Sequence, residues 1–347
     1  MNKIVMVNAT SLASGGGLTI LNQYIARLSL NADRTSRYYL FVPDSCNSVN
    51  IPSNVMIVKN SANPHYTSRD YWNLLGMQNW CRANKLWPDE LFSMQNYFPF
   101  GFKSGVKFKS VYVHQSLPFF DYQWGVFNKD ERMLWFYRNI YFHLIKKSVA
   151  EADKVIVQTE WMRGSVAERC RVSHEKIVVE RPDIGTIDLG ELGGVSGLKG
   201  EVKLFYPASG VVYKNHQVLY RAMELVVNKF GKKGIVLYLT LDPDNPKAWS
   251  CIKGFKLEEN VVLTGKLSYQ QVMNYYQSVD ALVFPSKVET FGLPLLEAQS
   301  FSLHIIANNL GMYREVIGQY KGSVTYCDGD DAASWAKAIC SLIRPKK

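Results

Sequence analysis

Two glutamates, a glycine and a proline stand at a spacing that can hold a ligand rich in phosphate and hydroxyl groups. The string is Pro285-Ser286-Lys287-Val288-Glu289-Thr290-Phe291-Gly292-Leu293-Pro294-Leu295-Leu296-Glu297-Ala298. The apolar run Ala281–Phe284 before it reads as a strand, and Pro294 suits the first turn of a following helix. Glu289 then falls in the connecting loop and Glu297 about one turn into the helix. Both carboxylates can face a ligand placed at the helix N-terminus, where free backbone N–H groups favour phosphate. Gly292 lets the main chain approach that ligand. Two acids at this separation mean little alone, because solvated charges are common near helix starts. The strand-loop-helix setting is what gives the pair weight.

Four other places offer chemistry in the same kind of setting. Ser14-Gly15-Gly16-Gly17 follows the first strand and opens a helix, although its spacing is not G-x-G-x-x-G. Val111-Tyr112-Val113-His114-Gln115 ends a strand, which puts a histidine at a sheet edge. Phe205-Tyr206-Pro207-Ala208-Ser209 precedes Lys214-Asn215, a strand and loop leading to a lysine at a helix start. That arrangement suits a diphosphate. Val261-Val262-Leu263-Thr264-Gly265-Lys266 ends another strand. Asp242-Pro243-Asp244 has the Asp-x-Asp spacing of a metal site, but its proline reads as a turn after a strand, and no metal is expected.

Over most of the chain these segments resemble the retaining GT-B glycosyltransferases of family 4 (group 1). Glu289 and Glu297 match the Glu-x7-Glu signature, with Phe291-Gly292-Leu293-Pro294 between the acids. The resemblance implies an α/β chain with two Rossmann-like, doubly wound domains facing across a cleft. It implies transfer of a hexose-type sugar from a nucleotide-sugar donor to a saccharide acceptor, with configuration retained and no metal required. The UDP-, GDP- or ADP-sugar is then a co-substrate, and no cofactor is expected. Glu289, His114 and Lys214 become the expected catalytic residues. Gly15, Gly16, Gly17, Ser209, Lys214, Gly265, Lys266, Glu289, Phe291, Gly292, Leu293 and Glu297 become the expected donor-binding set. Three departures stand out: Ser209 where an arginine is frequent, Gln115 after the histidine where an aspartate is usual, and Gln299–His304 in place of a Gly-x-Pro-Val turn.

The rest of the chain supplies the frame. Short apolar runs alternate with amphipathic ones. Strands are expected at residues 3–7, 38–42, 55–58, 90–93, 110–113, 154–158 and 176–179, then at 203–206, 235–240, 261–264, 281–284, 304–307 and 324–326. Helices are expected at 18–30, 71–85, 131–150, 160–169, 215–229, 269–278, 293–300 and 332–342. The glycine-rich stretch 183–201 reads as a linker between an acceptor-side domain 1–182 and a nucleotide-sugar-binding domain 202–347.

A formal charge of +10 calls for anionic partners, and Lys103, Lys107, Lys109, Arg138, Lys146 and Lys147 are mildly concentrated. No zinc-finger, RNP-type or dense arginine pattern points to nucleic acid. The six cysteines form no C-x-x-C pair, as expected of a reducing compartment. No apolar run reaches the ~20 residues of a spanning helix. The expectation is a cytoplasmic enzyme, peripheral at the inner face of an anionic membrane, acting in bacterial surface-polysaccharide assembly (O-antigen, capsule or exopolysaccharide) on a saccharide carried by a lipid diphosphate. The alternatives are a sugar-nucleotide epimerase and a catalytically silent binding or assembly subunit of the same fold.

Overall fold

The computed structural model describes residues 3–13, 15–46, 51–60, 71–102, 104–183, 192–231 and 234–343. Ser14, Lys103 and the linker residues 184–191 lie outside that set. The chain forms two compact units. One comprises Met1–Phe127 with Arg132–Asp183, and the other Asn128–Glu131 with Ile184–Lys347. Residues 128–131, placed in the first domain by the sequence reading, group with the second unit, where Asp130 pairs with Lys247.

The first unit is a parallel sheet of β1 (Lys3–Asn8), β2 (Ser36–Pro43), β3 (Val55–Asn60), β4 (Glu90–Ser93), β5 (Phe108–Tyr112), β6 (Lys154–Val157) and β7 (Ile177–Val179). Their order is β3-β2-β1-β4-β5-β6-β7. Strands buried on both faces need apolar residues at every position, and this is why they read as continuous runs. Along β1 the alternation divides the core, Val5 and Val7 going to one buried cluster and Met6 to the other. Helix Gly15–Asn31 links β1 to β2, starting three residues before the expected Leu18. The stretches expected as continuous helices at 71–85 and 131–150 contain wider π-type turns at Trp72–Gly76 and Tyr137–Tyr141. At the second, Tyr137 and Tyr141 meet with centroids 5.1 Å apart, and Tyr141 packs edge-on against Tyr97.

The second unit repeats the plan with β8 (Val202–Tyr206), β9 (Ile235–Leu239), β10 (Val261–Leu263), β11 (Ala281–Phe284), β12 (His304–Asn308) and β13 (Val324–Cys327), ordered β10-β9-β8-β11-β12-β13. Its expected helices appear at His216–Phe230, Tyr269–Ser278, Leu293–Ser300 and Ala332–Cys340. Two more, Pro246–Gly254 and Gly311–Ile317, were not expected. Helix Ala332–Cys340 packs against His216–Phe230 inside this unit. In each sheet the chain runs outward, then returns to the other side of its starting strand. The reversal falls between β1 and β4 in one unit and between β8 and β11 in the other. Loops beyond the carboxyl ends of strands diverge at such a reversal, leaving a crevice where ligands bind in open α/β sheets.

Candidate active site

Lys214 and Glu289 meet at the reversal point of the second sheet. Strands β8 and β11 pair directly, Ala281 with Leu204 and Leu282 with Phe205, so the loops that leave them are neighbours. After β8, a short turn Val212–Lys214 ends at Asn215 in the left-handed region (φ 57°), and the helix His216–Phe230 begins. After β11, the loop carries Glu289 to Gly292, also left-handed at φ 89°, which caps the helix Leu293–Ser300. The Lys214 ammonium and Glu289 carboxylate form an ion pair. Each side chain is only 16% exposed. Burial acts against the lysine's charge, but the Glu289 carboxylate outweighs it and holds the ammonium above its ordinary range.

Neighbouring groups fix the two loops against each other. Tyr206 OH donates to the Lys214 carbonyl at 2.9 Å, and Lys287 N donates to the Tyr213 carbonyl at 2.8 Å. Asn308 Nδ2 and Tyr313 OH each donate to the Ser286 carbonyl at 3.0 Å, tying the Glu289 loop to the end of β12. Asn215 Nδ2 reaches the Gly329 carbonyl at 2.8 Å, and Lys287 pairs with Asp330 at 2.7 Å. The backbone at Gly292 disfavours a side chain by its left-handed φ of 89°, and a Cβ there would also lie a tight 3.2 Å from Leu295 Cδ1.

Three other residues define the chemistry of this edge. Glu297 is buried one turn into its helix and accepts from Tyr276 OH at 3.1 Å. Burial pushes its carboxyl up to about 7, partly offset by the tyrosine's hydrogen bond. His216 is buried beside Tyr206 (centroids 5.0 Å), and among the described residues nothing hydrogen-bonds its Nε2. Burial, then the Lys214 charge, push that imidazole down to about 4, so it stays neutral near pH 7.

The remaining expected donor residues of this unit are spread along the same sheet edge. Ser209 is exposed in the β8 loop, while the Phe291 side chain is buried and Leu293 half-buried. Gly265 (φ 79°) donates to the Leu241 carbonyl at 2.9 Å, and it and exposed Lys266 follow β10, two strands from β8.

In the first unit, Gly15 and Gly16 are exposed and Gly17 half-buried at the start of their helix, with Gly15 left-handed at φ 57°. His114 lies just past β5. Asn96, left-handed at φ 68°, accepts from the main-chain N–H groups of His114 (2.7 Å) and Gln115 (2.8 Å). The ring's Nε2 lies 3.0 Å from the Met94 carbonyl, which can only accept, so that nitrogen carries the proton. Burial holds the imidazole below its usual range. The histidine is therefore a neutral, fixed group. Sequence reasoning did not find Asn96, Tyr206, His216 or Tyr276. Only Asn215, adjacent to Lys214 and of a type that tolerates a left-handed backbone, had a local signal.

Comparisons with known proteins bear on the fold that carries these residues. Residues 195–347 match the family profile described as Glycosyl transferases group 1. The O-antigen chain mannosyltransferase RfbU of Salmonella typhimurium is 24% identical over 217 residues, covering 60% of this chain and 56% of that protein. The chain thus spans little more than half the length of this relative. Among solved structures, WaaG, a glycosyltransferase involved in lipopolysaccharide biosynthesis, superposes with a TM-score of 0.66 at 12% identity, covering 97% of this chain and 90% of that one. Anabaena HepE in complex with UDP and glucose gives 0.60 at 13% identity, covering 99% and 90%. The chain has the two-domain α/β fold, GT-B, that these solved structures share.

Proposed function

We propose, for a chain whose residues 195–347 match the profile of the group 1 glycosyl transferases, that it moves a hexose-type sugar from a nucleotide-sugar to a saccharide acceptor with retention of configuration. The acceptor in this reading is carried on a lipid diphosphate, and the setting is bacterial surface-polysaccharide assembly, in keeping with the name of the RfbU relative. The observation that carries the proposal is the Lys214–Glu289 ion pair at the reversal point of the second sheet.

Breaking the anomeric C–O bond builds positive charge on the sugar ring and negative charge on the departing diphosphate. In this reading the donor's diphosphate draws the Lys214 ammonium off Glu289 and sits over the starts of helices His216–Phe230 and Leu293–Ser300. The Glu289 carboxylate then accepts from sugar hydroxyls and faces the cationic ring. The leaving phosphate takes the acceptor's proton on the same face, so Glu289 is not assigned as a nucleophile. Glu297 accepts from the ribose hydroxyls in place of Tyr276. The ammonium and the helix ends supply positive charge without a metal ion.

The experiment is donor turnover and thermal shift across UDP-, GDP-, ADP- and dTDP-sugars with a lipid-diphosphate saccharide as acceptor. A true donor at 100 times its Kd stabilises the fold by about 2.7 kcal/mol. Lys214→Ala and Glu289→Ala proteins that stay folded yet transfer sugar at the wild-type rate would refute the assignment. Isomerised sugar from donor alone would identify an epimerase, and nucleotide binding without transfer an assembly subunit.

A further inference from the structure

Two guanidinium groups of the first unit converge on one main-chain carbonyl. Arg138 comes from the π-type turn Tyr137–Tyr141, and Arg169 from the last turn of the helix Glu160–Cys170. Arg138 donates to the Phe120 carbonyl oxygen, and Arg169 Nη1 stands 3.5 Å from the same atom. The Arg169 guanidinium also lies 5.7 Å from the centroid of the Phe142 ring, one turn along from Arg138. Bringing like charges together over a neutral acceptor costs energy that an anion between them would recover. Among the described residues neither arginine forms an ion pair. Asp121 draws on Arg138 only at a distance, Glu168 beside Arg169 is exposed, and Glu160 is paired with Arg163 at 3.3 Å. Burial, then the Arg169 charge, hold the Arg138 guanidinium below its ordinary range. Each fork has five donors and gives at most one of them to Phe120. Aromatic rings border the pair. Phe120 packs on Trp161 with centroids 4.4 Å apart, and Tyr122 lies 6.3 Å from Phe120 at 24° to it. Trp161 and Tyr122 are each half-buried, so part of each stays open.

We propose that Arg138 and Arg169 form a phosphate site in the first unit, and that Trp161 and Tyr122 beside it receive the sugar to which the phosphate is joined. Planar forks match phosphate oxygens in pairs, and two of them supply the charge a dianion needs. The C–H face of a sugar ring lies against an aromatic face. The ligand class is therefore a phosphorylated saccharide. All the residues of this site belong to the first unit, whereas Lys214 and Glu289 belong to the second. Two sources share the chemistry: the saccharide diphosphate of the proposed acceptor, which rests on the transferase reading, and a free sugar phosphate.

The test is calorimetric titration of the full chain with inorganic pyrophosphate. The background is K214M/E289Q, which removes the ion pair of the second unit and leaves the first untouched. Binding is expected to persist there, and to weaken about 100-fold when R138Q/R169Q is added, about tenfold for each charged hydrogen bond. R138K/R169K keeps both charges but not the forks and is expected to bind about tenfold more weakly. It decides the matter on the same criterion if the glutamine protein fails to fold. No pyrophosphate binding in K214M/E289Q, or undiminished binding in the arginine variants, would overturn the proposal. Competition then separates the sources. Displacement by a short-chain alkyl diphosphate of a saccharide assigns the site to the acceptor, and displacement by glucose 1-phosphate alone assigns it to a free sugar phosphate. Displacement by neither would overturn the saccharide half of the proposal. A wild-type chain that binds pyrophosphate through this pair but transfers no sugar supports the site while defeating the transferase reading.

Discussion

Replacing Glu297 by glutamine turns the ionisation of one buried carboxyl into a measurable difference in stability. Burial raises this group from the ordinary 4.5 to about 7, with the Tyr276 hydroxyl pulling the other way. The folded chain therefore holds the proton more tightly than the unfolded chain between those two values. The stability carried by the protonated form is complete below about pH 4.5 and is lost as pH rises through 7. The interval corresponds to about 3 kcal/mol. Glutamine keeps the shape and the acceptor for Tyr276 but has no charge to bury. The melting temperature of Glu297→Gln relative to wild type is thus expected to rise by about 6–12 °C between pH 4.5 and pH 8, at roughly 2–4 °C per kcal/mol for a unit this size. Circular-dichroism melts across that range measure it. A difference between the two proteins that stays flat with pH, or grows toward acid, would refute the reasoning. The same ionisation links to the proposed donor. Ribose hydroxyls prefer a carboxylate, so donor affinity of the wild type is expected to climb up to pH 7, and that of Glu297→Gln to stay level.

Lys214→Met leaves Glu289 with no counter-charge; sugar transfer is expected to fall by about 10²–10³ with the melting temperature. K214M/E289Q should recover the melting temperature without the activity, as steady-state transfer assays beside thermal melts will show. Asn96→Ala strips the acceptor from two main-chain N–H groups and puts a Cβ-bearing residue with no side-chain amide at φ 68°. Urea unfolding is expected to show a loss of about 1–3 kcal/mol. Gly292→Ala meets Leu295 at 3.2 Å from a left-handed backbone, and is expected to cost about 1–3 kcal/mol and weaken nucleotide binding in calorimetry.

All thirteen strands were legible because their inner residues, covered on both faces, form short apolar runs, with polar residues such as Arg37 and Lys109 falling toward strand starts. The pairing of Lys214 with Glu289 was implied by strand-loop-helix settings on each side, but not the direct β8–β11 ladder that brings them together, since sequence does not state strand order. Helix Pro246–Gly254 was missed although Asn245 caps it and Pro246 fills its first turn. The turn at Asp242–Asp244 stands directly before that cap and masks the helix start. Helix Gly311–Ile317 opens on a glycine, with no side-chain cap and too few residues for a period to emerge. Glu297 was placed correctly on its helix, whereas its partner Tyr276 comes from another helix and left no local trace. His114 was found as a strand-end residue. Its neutral, fixed state depends on Asn96, whose left-handed backbone no pattern announces.

The parallel ladders carry a consequence for the order in which this chain matures. Seventy-five positions separate Lys214 from Glu289. Emerging from the ribosome, β8, β9 and β10 can already pair with one another, and at that stage the lysine has no carboxylate beside it. Only when β11 slots in on the far flank of β8 does the counter-ion arrive. A nascent protein stalled before that insertion holds half a sheet and an unguarded cation, so the ion pair marks the moment at which β11 joins, with β12 and β13 still to be added beyond it.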